Sequence, residues 1–85
     1  MDEKLENLKK KLLYRASYRG TKEMDILLNN FVKKNINKFD DQQLKDLEAF
    51  LKLEDEVILN FYNYNIDDEN LIKNPISKIF KKFKI

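Results

Sequence analysis

The sequence predicts an all-α protein, a single small five-helix bundle occupying residues 1–85. Three observations lead there. Apolar residues recur at spacings of three and four along most of the chain, which marks one buried face per helix. No segment alternates strictly enough to be a strand. One glycine and one proline in 85 residues leave little of the turn chemistry that a sandwich or barrel needs at its corners.

The first helix is expected over residues 2–17, with Leu5, Leu8, Leu12, Leu13 and Ala16 as its apolar stripe. Glu3 and Glu6 near its start and Arg15 near its end suit the helix macrodipole. The pattern stops at Tyr18, Arg19 and Gly20, where a glycine with positive φ would close the helix. The second helix, 21–37, carries Met24, Leu27, Leu28 and Phe31, with Thr21 as its cap and Glu23 and Asp25 in its first turn. The third, 40–53, opens with Asp40 and Gln43 in capping-box spacing, with Phe39 before them as a staple. Its stripe is Leu44, Leu47, Phe50 and Leu51. The fourth, 55–63, buries Val57, Ile58 and Phe61. A polar loop leads to the fifth, 69–83, where Pro75 should kink or interrupt the pattern. Nothing repeats at a longer period, and no linker separates two cores.

Cysteine and histidine are both absent. Disulfides, thiolate metal sites, cysteine nucleophiles and Ser-His-Asp triads are therefore excluded, along with the usual zinc signatures. No glycine-rich phosphate loop is present either. The expectation is a protein that is not an enzyme, that holds no cofactor stably, and that works by binding. The segment from Met1 to Asn7 mixes both charges and lacks an apolar stretch, unlike a targeting signal. No window approaches the apolar length of a membrane span. A cytoplasmic monomer is expected, and the abundance of Lys, Asn and Ile suggests a bacterium with an AT-rich genome.

Charge falls in blocks. Residues 1–39 carry ten cations and five anions, residues 40–72 two cations and ten anions, and residues 73–85 five lysines and no acid. Such blocks steer a partner and set docking register more than they add affinity. The acidic runs Glu54-Asp55-Glu56 and Asp67-Asp68-Glu69 fit helix-start electrostatics better than a cation site. The tail from Ile76 is basic and amphipathic. It can cover the core with a solvated outer face, which is the preferred reading, or lie on an anionic membrane or nucleic acid.

The corner Arg19-Gly20-x-x-Glu23 is the most informative segment. On local physics a structural explanation leads: Gly20 ends a helix, Glu23 sits near the next N-terminus, and Arg19 is solvated. The alternative is that the corner presents Arg19 and Glu23 side by side, with a glycine that lets a partner's backbone come close. Tyr14 and Tyr18 share a face one turn apart. They either rim such a patch or pack on the core with their hydroxyls exposed.

The run from Tyr14 through Arg19, Gly20, Glu23, Asp25 and Leu28 to Phe31 resembles the family of small FAD assembly factors for succinate dehydrogenase, the SdhE type. Its hallmark is a basic residue followed by Arg-Gly-x-x-Glu and an acidic-aliphatic run. The likeness continues through Phe39 to Leu44, Leu47 to Glu56, and Ile58 to Phe61, covering about Leu12 to Tyr64. Tyr18 stands where the family often has a second arginine, Glu56 where it has proline, and Phe61 where it has tryptophan. The resemblance implies a five-helix assembly factor that binds the flavoprotein subunit of succinate dehydrogenase, or of fumarate reductase, and promotes covalent FAD attachment to that subunit. FAD is then reached through the partner. The resemblance also implies that Arg19, Gly20 and Glu23 face the partner, with Asp25, Tyr18 and Tyr14 beside them. The runner-up is a small helical nucleic-acid-binding protein using its Lys-rich ends. Against it stand a net charge of only +2 and the lack of a recognisable base-reading helix.

Overall fold

Residues 3–84 are described by the structure, a computed structural model. Among them are six helices and no strand: α1 (Glu3–Ser17), α2 (Lys22–Asn35), α3 (Asp41–Leu51), α4 (Asp55–Tyr64), α5 (Glu69–Ile72) and α6 (Ile76–Lys82). The expected helix start at Asp2 lies outside the described residues.

The caps act where their chemistry requires. The Thr21 hydroxyl accepts from Met24 N at 3.2 Å, and Asp40 and Gln43 exchange both hydrogen bonds of a capping box. α1 and α2 form an antiparallel hairpin. Its register is marked by the Ser17–Asn29 side-chain hydrogen bond at one end and by Lys9 Nζ donating to Asn37 Oδ1 at 3.2 Å at the other. α3 lies against α1 and α6, and α6 also touches α4.

The five-helix expectation needs one correction. The segment expected as a single helix over 69–83 is two helices, because Pro75 cannot supply an amide to a continuous ladder and its ring crowds the carbonyl one turn back. Asn74 makes the junction definite. Its side-chain oxygen accepts from Ile76 N at 2.9 Å, and its amide donates to Asp46 O at 2.7 Å. The last helix is thereby stitched to α3.

One apolar cluster runs through every helix, from Leu12 and Ala16 in α1 to Ile76 and Phe80 in α6. At its centre Phe31, Phe50 and Phe80 are fully buried. Phe80 meets Phe31 edge-on at 5.0 Å, Phe50 at 5.1 Å and Tyr62 at 4.9 Å between ring centroids. Burying each such side chain stabilises the fold by roughly 1.5–3 kcal/mol. The basic tail therefore covers the core, with Ile76, Phe80 and Phe83 turned inward. α4 ends on Asn65, the one described non-glycine residue with positive φ (57°). Lys81 reaches over from α6 and donates to the α4 carbonyls of Phe61 and Tyr62 at 2.6 and 3.1 Å.

Candidate functional site

The corner between α1 and α2 is built around a guanidinium. Arg19 folds inward, its side chain only 10% exposed. Its Nε donates to Asp55 Oδ1 at 2.7 Å. Its Nη1 donates to Leu51 O at 2.6 Å and more weakly to Arg15 O at 3.4 Å. Its Nη2 donates to Leu53 O at 2.8 Å. The carbonyls of Arg15 and Leu51 belong to the last turns of α1 and α3, where unpaired acceptors and the negative end of the dipole favour a cation. Asp55 opens α4, where a carboxylate is favoured. One planar cation thus joins two helix C-termini to one helix N-terminus, a task for which its fork of donors is suited.

This corrects the solvated Arg19 of the local reading. The charged head is held by four acceptors inside the molecule. Nor does the fold set Arg19 beside Glu23: the arginine points in, whereas Glu23 is exposed and its side chain makes no hydrogen bond or ion pair among the described residues. Asp25 is half-buried, and its carboxylate accepts from the Arg19 backbone N–H.

Gly20 also differs in its reason. No glycine here has positive φ, so left-handed backbone does not explain it. Close approach does. Asp55 Oδ2 accepts from Gly20 N at 2.8 Å, and a Cβ at this position would come within 3.2 Å of the same oxygen. The carboxylate that holds Arg19 with one oxygen holds the glycine amide with the other. Asp55 is the residue that sequence reasoning missed. Its position at a helix start offered a sufficient local explanation, and nothing in the chain links residue 55 to residue 19 except the folded geometry.

Outside this clasp the corner is open. Tyr14 and Tyr18 are 65% and 71% exposed, with ring centroids 4.6 Å apart and planes inclined by 41°. They are not packed on the core, as one of the two readings left open for them had it. Gly20 and Glu23 are exposed as well, as is Ile26 at 45%. A shallow cleft of about 400 Å³ opens next to the corner, lined by Ser17, Asp25, Ile26, Asn29 and Asn30. The arrangement offers aromatic surface, a bare backbone stretch and a free carboxylate on a rigid support. Such aromatics around a polar centre suit protein contact. No described helix is long and apolar enough to cross a membrane.

Comparison with known proteins adds a family. The model of the family described as flavinator of succinate dehydrogenase matches residues 10–84. A mitochondrial succinate dehydrogenase assembly factor 2 of Dictyostelium discoideum is 42% identical over 57 residues, covering 67% of this chain and 40% of that protein. The protein of the same name from Caenorhabditis briggsae is 30% identical over 84 residues, covering 95% of this chain and 69% of its own length. The FAD assembly factor SdhE of Acetobacter pasteurianus is 38% identical over 47 residues, covering 55% of this chain and 43% of its own. The chain thus spans less than half the length of the Dictyostelium and Acetobacter relatives in these matches.

Proposed function

We propose, from the premise that this chain belongs to the flavinator of succinate dehydrogenase family, that it is an assembly factor which binds the flavoprotein subunit of succinate dehydrogenase and promotes covalent FAD attachment there. The observation that carries the reading to particular atoms is the corner itself: exposed Tyr14, Tyr18, Gly20 and Glu23 around a half-buried Arg19–Asp55 clasp.

The chain contributes position rather than covalent chemistry. It has no histidine or cysteine to serve as acceptor or nucleophile, and the flavin supplies the reactivity of the attachment step in the partner. A partner held in one conformation, with flavin and acceptor aligned, gains through orientation alone. In this reading Tyr14 and Tyr18 supply apolar contact area, Glu23 pairs with a cation of the partner, and Gly20 admits close backbone approach. Arg19 and Asp25 act from behind: they fix the path of the chain and touch the partner little. The factor works as a monomer in the compartment of its partner, which for a bacterial chain is the cytoplasm. Fumarate reductase flavoproteins are the second candidate partner.

Co-expression tests this. The flavoprotein subunit made with this chain should show strong in-gel flavin fluorescence after denaturation. Made alone, or with Gly20→Arg, it should show a signal at least several-fold weaker. Equal signals in all three would defeat the reading.

A further inference from the structure

The corner is too small to be a whole interface. Specific protein contacts bury about 800 Å² on each side, contributed by some 20 or more residues, and the outward groups at the corner are a handful. The surface must continue, and the outer face of α2 gives its direction. Glu23, Ile26, Asn30 and Lys33 follow one another at helical spacings of three and four, and all four are exposed. This stripe leaves the corner and runs along α2 for about 15 Å.

A second cleft lies at its far end. It has a volume of about 430 Å³ and is lined by Asn30, Lys33, Lys34, Phe83 and Lys84. Asn30 also lines the cleft beside the corner, so the two depressions share a wall. A third hollow, also lined by Phe83, adds Lys34, Asn35, Ile79 and Lys82. Four lysines from α2 and the C-terminal segment therefore surround one nearly buried ring, with Lys34 Nζ 5.6 Å from its centroid. No acid occurs in residues 26–39 or 70–85. Lys33, Lys34, Lys82 and Lys84 pair with no carboxylate among the described residues.

We infer that the docking surface continues from the corner along the outer face of α2 into this lysine-rimmed cleft, and that the cleft receives an acidic surface segment of the same protein partner. The inference rests on the proposed function and assigns a role to the basic C-terminal segment. Continuity through Asn30 favours one extended interface over two separate sites. The other anionic surfaces fit less well. The apolar face of α6 is closed on the core, so no apolar stripe is left to enter a bilayer. The cleft lining holds no arginine and no exposed aromatic ring, the groups that read or stack on nucleic acid bases.

The test is a calorimetric titration of the full chain into the flavoprotein subunit at low and high salt. Lys33→Glu and Lys84→Glu should each weaken binding by about tenfold at low salt and flatten the salt dependence, with unchanged melting temperatures. Lys45→Glu, an equal charge reversal on exposed α3, should stay within about twofold of wild type. Wild-type affinity and an unchanged salt slope in Lys33→Glu and Lys84→Glu, with Gly20→Arg still abolishing binding, would overturn the extension and leave the corner standing. No binding by the wild-type chain would overturn both. Anionic phospholipid vesicles or duplex DNA bound through these lysines, with flavoprotein affinity untouched, would also overturn the inference.

Discussion

Residue 19 shows how a charge can be prominent in a sequence and hidden in the fold. Its guanidinium meets three helix ends, and its one ion pair, with Asp55, is largely screened from water. Removing one member of such a pair leaves the other uncompensated, a loss of roughly 3–5 kcal/mol when burial is complete. Asp55 is 28% exposed, so Asp55→Asn should cost about 1–3 kcal/mol in urea denaturation. Arg19→Lys should be similarly harmful, because a single ammonium cannot reproduce the fork. Gly20→Ala presses a methyl toward Asp55 Oδ2 and should destabilise by about 1 kcal/mol. The opposite is expected outside: Tyr14→Ala and Tyr18→Ala should leave the melting temperature within a degree or two of wild type. That the motif marks a tight corner between two helices was legible in the sequence. Which of its residues face inward was not, because that depends on where the α3–α4 turn lies, more than thirty residues away.

At the scale of elements, the caps and stripes were readable because they act over three or four residues. Thr21, Asp40 and Gln43 cap as their spacing predicts. The α5–α6 break was legible as a proline, though its anchoring was not, because Asn74 also bonds to α3. Asn74→Ala removes both that tertiary hydrogen bond and the one at the start of α6. It should cost about 1–3 kcal/mol, measured by denaturation. A shared device recurs in the structure: Arg19 closes the end of α3, and Lys81 closes the end of α4. Both are long cations from another element, placed where the macrodipole is negative.

For the whole molecule, charge separation and the single aromatic core set the behaviour. α1 and α3 are bridged by Glu48, which accepts from Lys11 at 3.1 Å and lies 3.9 Å from Arg15. The Lys11 hydrogen bond, with the surrounding cations, holds its carboxyl below the usual glutamate range, against a partial opposing effect of desolvation. A depressed folded-state pKa stabilises at pH above the ordinary glutamate value, and the contribution disappears as pH falls through the depressed one. Acid denaturation of Glu48→Gln should therefore show a shallower loss of stability below about pH 4.5 than wild type. The effect should stay under about 1 kcal/mol, because Lys11 is half exposed. The core takes in both phenylalanines of the basic tail, Phe80 and Phe83. On the proposed function, the corner is held from within by Arg19 and Asp55 and read from without by the partner. The most direct test is the affinity of the double variant Tyr18→Ala, Glu23→Ala for the flavoprotein subunit, measured beside its own melting curve. A wild-type melt with binding reduced by at least about tenfold is expected. Wild-type affinity in a normally folded variant would contradict it.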